Sequence, residues 1–171
     1  PEYGCALDML LGEHRTRRHL RHLVADLIAG QSQAKPREIA WAKKILREDA
    51  ALANRVLART TERWEAWREA LRDVLPTLML NPELRWHTRR ALVAEAKYDE
   101  AHVIALIEQY WDKAESDYDA LKVFSDAILW SPAVLERLRL MAQRQQLENY
   151  TFMQYAEQLG DARAAELFGV L

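Results

Sequence analysis

The sequence predicts an all-α fold, and three observations carry that expectation. No window alternates strictly between apolar and polar residues, and no Asn-Gly or Asp-Gly hairpin turn occurs. Apolar residues instead recur three and four apart through most of the chain. Five Gly and five Pro among 171 residues leave few breaks, so the elements must be long. The pattern fits an irregular helical bundle, or a short solenoid-like array of helical hairpins. Either would hold about seven helices. One domain is expected over 1–171.

A first helix is expected over 6–29, closed by Gly30 as its C-terminal cap. Gly12 is the place for a kink within it. Leu20, Leu23, Val24, Leu27 and Ile28 mark its inward stripe, with Arg15, Arg18, His19 and His22 on the opposite, wet face. Pro36 suits the first turn of the next helix. From there Ala42, Ile45, Leu52, Ala53 and Val56 stay in phase with Trp64, Trp67, Leu71, Val74 and Leu75. Unbroken phase predicts one long helix over 36–75, with Thr60-Thr61 as the alternative break.

Asn81-Pro82-Glu83 reads as a helix start: a cap, a first-turn Pro, then an acid favoured by the helix dipole. Asp99 caps the following helix, and Ser116 or Asp117 opens another. Ser131-Pro132 repeats the cap-plus-Pro device and starts a second long helix over 132–159. Gly160 ends it, and Asp161 caps a last short helix through Phe168.

Composition narrows the class. Half the residues are hydrophobic and 29% are charged, which excludes a disordered chain. The net charge is -2, but it is unevenly placed. Residues 14–22 hold four Arg and three His, whereas 95–119 hold eight acids against Lys97 and Lys113. Such polarity could steer a charged partner, although solvated helix faces give the same pattern. Cys5 is the single cysteine, so no intrachain disulfide forms and a reducing, cytoplasmic setting is expected. No apolar run reaches the roughly 18 residues of a membrane span. The chain starts Pro1-Glu2-Tyr3 without an initiator Met, which points to processing or to a longer parent protein. Arg outnumbers Lys 18 to 6, the bias of a GC-rich, bacterial genome.

Three short stretches punctuate the second half: Lys97-Tyr98-Asp99-Glu100-Ala101, Asp117-Tyr118-Asp119-Ala120-Leu121 and Gly160-Asp161-Ala162-Arg163-Ala164. Each resembles the turn between the two helices of a tetratricopeptide repeat. Their spacings, about 20 and 43 residues, differ from that family's period of 34. They are therefore read as helix–turn–helix punctuation.

Four polar residues fall where an inward stripe calls for apolar ones: His14, Asp49, Gln145 and Asn149. Buried without partners, each would cost on the order of 1–3 kcal/mol. They define a possible polar core pocket, set against bent helices or routine buried pairs.

The histidines invite a metal reading. Residues 6–15, Ala6 to Arg15, are similar in texture to the first helix of hemerythrin-like proteins, which would imply His and Glu ligands on later helices. The required His-x-x-x-Glu spacing is missing, since His87 meets Ala91 and His102 meets Leu106. A ferritin-like di-iron set also lacks its second copy. Four Arg beside His14–His22 oppose a cation, so no metal and no cofactor are expected. Nucleic acid is disfavoured too: Arg15, Arg17, Arg18 and Arg21 could contact phosphates, but the acidic 95–119 stretch would repel a polyanion.

No phosphate-binding Gly loop, nucleophile elbow or H-E-x-x-H occurs, which leans against an enzyme. Six Trp are many for this length. Trp86 and Trp130 lie off their helices' main stripes and are the candidate exposed contacts, with Arg15 and Arg18 as charged companions. The expected function is a non-enzymatic adaptor that binds another protein or a second copy of itself. A small-molecule binder or enzyme built on the polar pocket is the alternative.

Overall fold

A computed structural model describes residues 18–30, 34–147 and 149–170, with the side chains of 18–21, 149 and 170 left aside. Every regular element among them is helical: α1 (Arg18–Ala29), α2 (Pro36–Glu48), α3 (Ala50–Glu62), α4 (Trp64–Leu71), α5 (Leu75–Met79), α6 (Arg85–Ala96), α7 (Glu100–Tyr110), α8 (Asp117–Ala127), α9 (Pro132–Gln143), α10 (Asn149–Leu159) and α11 (Asp161–Val170). Short 3-10 turns at Arg72–Val74, Pro82–Leu84 and Ala114–Ser116 join some of them. The all-α expectation holds, with more and shorter helices than seven. The chain divides into two compact units, up to Thr88 and from Arg89 onward.

The first unit rests on the stripe that the sequence predicted. Ala42, Ile45, Leu52, Ala53, Val56, Trp64, Trp67, Leu71, Val74 and Leu75 are all buried. The single helix over 36–75 does not exist, however. It is cut at Asp49, at Arg63 and at the 3-10 turn before α5. Asp49 leaves the helical region, with φ -138 and ψ 88, and its carboxylate accepts the Leu52 N–H at 3.1 Å, so it caps α3. The second break falls just past Thr60-Thr61, whose hydroxyls donate back to the Val56 and Leu57 carbonyls instead of capping. One-residue breaks turn the helix axis without disturbing the spacing of apolar residues, which is why phase alone could not reveal them. α3 then packs against both α1 and α2.

α1 ends before Gly30, as expected, with the Gly30 N–H bonded to the Asp26 carbonyl at 3.0 Å. The start of the predicted 6–29 helix lies outside the described residues. Its inward face is rotated from the predicted one. Ala25, Ile28 and Ala29 are buried, whereas Leu23 and Leu27 are exposed. Small residues let α1 approach α3 closely, and bulk is what the sequence reading had followed. Asp26 fixes the contact by pairing with Arg55 at 2.9 Å and Arg59 at 3.6 Å.

In the second unit two of the predicted caps form, whereas Ser116 makes no cap hydrogen bond and Asp161 lies inside α11 with Gly160 at the cap position. The Asp99 carboxylate accepts the His102 N–H, and the Ser131 hydroxyl accepts the Val134 N–H, with Pro132 opening α9. Gly160 has φ 79 and separates α10 from α11. The predicted helix over 132–159 is cut short. It stops at Gln143, and Gln145 takes a left-handed conformation with φ 57. The Gln146 N–H reaches the Met141 carbonyl and the Gln145 N–H reaches the Ala142 carbonyl, the paired bonds of a Schellman ending. Glycine is the usual residue there, so the sequence carried no stop signal.

Candidate interaction surfaces

The structure accounts for the sequence-predicted residues one by one. His14 and Arg15 lie outside the described residues, and Arg18 opens α1 with its side chain also outside them. Asp49 is half-buried as a helix cap, and Gln145 is exposed in the turn after α9. Asn149 opens α10, its side chain outside the described set. Asp49 and Gln145 thus interrupt no helix interior, because the helices end at those points. The premise of a polar notch is corrected for these two. Trp86 is exposed as predicted, and Trp130 is half-buried.

Trp86 sits in the first turn of α6, and the residues before it explain its orientation. Asn81 accepts the Glu83 N–H at 3.0 Å and sets the 3-10 turn over Pro82–Leu84. Leu84 and Thr88 point inward, and the Thr88 hydroxyl reaches the Leu78 carbonyl at 3.4 Å. With those positions buried, the helical turn places Trp86 outward. It is 60% exposed, and Leu80, which closes α5, is 66% exposed. Two large apolar side chains therefore stand in solvent, one before and one after the 3-10 turn.

The second surface is the turn between α8 and α9. Ile128 ends α8 with φ 54 and ψ 44, and it is 46% exposed. Its N–H reaches the Ser125 carbonyl and the Leu129 N–H reaches the Phe124 carbonyl, another Schellman ending built without glycine. The left-handed conformation costs an L-residue about 1–2 kcal/mol, and a β-branched side chain is especially rare in it. Three elements fix the next residues. The buried Tyr155 hydroxyl of α10 donates to the Leu129 carbonyl. The Glu100 carboxylate of α7 accepts the Trp130 N–H at 3.2 Å. The Arg163 guanidinium of α11 lies over the Trp130 ring at 6.0 Å. Burial, reinforced by the Glu100 charge and opposed by Arg163, pushes the Tyr155 phenol well above its ordinary range. The hydroxyl therefore stays protonated and able to donate.

The strongest electrostatics are internal to the second unit. Arg137 lies on the buried face of α9 and donates to the carbonyls of Trp111, Asp112 and Lys113, which follow α7. Its guanidinium also meets the Asp117 carboxylate, which Arg144 reaches from its other oxygen at 3.2 Å. A neighbouring contact joins Arg89 and Asp119 at 3.4 Å, with Arg89 over the Tyr118 ring. Of the eight acids in 95–119, Glu95, Asp117 and Asp119 are buried and Asp99 is a helix cap. Half of those acids are therefore used within the fold, and Glu100, Glu108, Asp112 and Glu115 are exposed.

Among the described residues no three His, Cys, Asp or Glu side chains come together as a metal site. No described helix is long and apolar enough to cross a membrane. Sequence reasoning missed Leu80, Ile128 and Arg137. Arg137 had a legible signal, since it shares the spacing of Val134, Leu138 and Met141. Ile128 had none, because it reads as one more inward residue of α8. No protein-family model matches the chain, and neither a curated protein nor a solved structure resembles it.

Proposed function

We propose that this chain is a non-enzymatic helical module that binds another protein, with Trp86 and Leu80 at the centre of one contact surface. The observation that carries the reading is a tryptophan left 60% exposed in the first turn of α6, with Leu80, before the same 3-10 turn, 66% exposed. Trp is the residue most often found at interaction hot spots, because one ordered side chain supplies a large apolar contact with a single N–H donor. Leu80 and Trp86 also cost the fold solvent-exposed apolar area, which a partner would recover at roughly 25 cal/mol per Å².

The test starts from material co-purified with the tagged chain from its native lysate. Any stoichiometric partner is then purified, and its affinity is measured by titration calorimetry. Trp86→Ala is expected to weaken the complex by 2 kcal/mol or more, about thirtyfold. Its thermal unfolding should match the parent chain, because the ring is mostly in water. A partner that binds Trp86→Ala and Leu80→Ala with parental affinity would remove this surface from consideration.

A further inference from the structure

We infer that the outer face of α6 binds an acidic partner segment, one that sets an apolar side chain on Trp86 and carboxylates on Arg90 and Lys97. The inference rests on the reading of Trp86 as a protein contact, and it adds the chemistry of the partner. α6 runs unbroken from Arg85 to Ala96, so helical spacing alone decides which of its residues share a face. Thr88, Ala91, Leu92 and Glu95 are buried and mark the inner side. Trp86 and Arg90, one turn apart, are exposed on the outer side, and the half-buried Val93 follows on the same line. Lys97 is exposed one turn further on. The Asp99 N–H bonds to the Glu95 carbonyl, so the helical winding carries through Lys97. The stripe from Trp86 to Lys97 is about 16 Å long at the usual helical rise.

The charge on that stripe is uncompensated. Arg90 has Trp86, His87, Val93 and Ala94 at the positions three and four away, and none is acidic. The side chains of Arg90 and Lys97 form no ion pair or hydrogen bond among the described residues. Other surface cations are paired: Arg59 with Glu62, Arg139 with Glu136, and both Lys43 and Arg47 with Asp73. The acids that border the stripe have roles of their own. Asp119 pairs with Arg89, which also lies over the half-exposed Tyr118 ring at 5.5 Å. Glu83, exposed in the 3-10 turn before α6, is matched in formal charge by Arg85 two residues on. At the far end Asp99 caps α7, and Glu100 accepts the Trp130 N–H, with Arg163 over that ring. What remains is two cations in solvent, in line with an exposed tryptophan, and carboxylates on a partner complete them. Nucleic acid presents a phosphate every few ångströms and is met by clustered cations. Two cations about 10 Å apart along a helix suit carboxylates two turns apart on a protein segment.

The test uses the full chain, immobilised, and a displayed library of random peptides as the probe. Enriched peptides should join an apolar or aromatic residue to several Asp or Glu, and their affinity should fall as salt is raised. For those peptides Trp86→Ala and Arg90→Glu should each lose about tenfold or more in affinity, and Lys97→Gln about threefold. Arg90→Glu should melt with the parent chain, because the side chain it replaces is exposed and makes no ion pair among the described residues. A second selection, on Arg90→Glu itself, reads a gain instead of a loss: its consensus should change from acidic to basic. Three outcomes would overturn the inference: no acidic consensus, acidic peptides that bind Arg90→Glu as well as the parent chain, or an oligouridylate that binds through Trp86 and Arg90 as tightly as the peptides do. Peptides that respond to Trp86→Ala and not to Arg90→Glu would leave the Trp86 contact standing and remove its acidic partner.

Discussion

Arg137 shows what one buried cation does in this chain. Its guanidinium takes up three carbonyls after α7 and meets a carboxylate that is only 1% exposed. Removing it would leave the buried Trp111 carbonyl without this donor and leave Asp117 with Arg144 alone. Breaking one side of a buried charge pair costs about 3–5 kcal/mol. Arg137→Met is therefore expected to lower the stability of the second unit by roughly 3 kcal/mol in urea titrations. Arg144 is the control. Its side chain is 38% exposed, water screens its half of the contact, and Arg144→Met should cost about 1 kcal/mol or less. Equal losses from the two variants would mean that the carbonyl cradle contributes little. At this scale the sequence was partly readable. An arginine on an apolar stripe was in plain view, whereas the acids it serves looked like a surface run.

At the scale of the element, helix starts marked by a cap and Pro were legible, and helix ends were legible only where glycine marked them, at Gly30 and Gly160. Starts carry their own chemistry: Asp99 and Ser131 each accept an N–H three residues on, and Pro36 and Pro132 fill a first turn that needs no donor. The ends after α8 and α9 use Ile128 and Gln145 in the left-handed region, so the glycine that would have announced them is missing. Asp49 joins both lessons. It looked like a polar flaw inside a long helix and is instead the cap that separates α2 from α3. Asp49→Ala should cost about 1 kcal/mol, and Asp49→Ser should recover most of it, because a hydroxyl can also accept the Leu52 N–H. Chemical denaturation of the two variants decides the point. If serine were as damaging as alanine, the carboxylate would have a role beyond capping, and the small-molecule reading of Asp49 would regain ground.

For the molecule as a whole, the sequence specified which residues go inside far better than how the helices are arranged. Burial follows from side-chain chemistry at a fixed helical spacing. Arrangement depends on where each axis turns, and single residues such as Asp49 and Arg63 decide that. The six tryptophans put this division to a test that samples both units at once. Trp41, Trp64 and Trp67 are buried in the first unit and Trp111 in the second. Trp130 lies half-buried under Arg163, and Trp86 stands mostly in water. Collisional quenching by acrylamide needs access to the ring, so most of the readily quenched emission should come from Trp86. Trp86→Phe is expected to remove the steep part of the quenching curve and to shift the remaining emission to shorter wavelength. Trp130→Phe should make a smaller change, and Trp64→Phe should leave the steep part intact. A curve that Trp86→Phe does not alter would mean that the ring is covered in solution. The surface assigned to partner binding would then already be occupied within the chain or by a second copy of it.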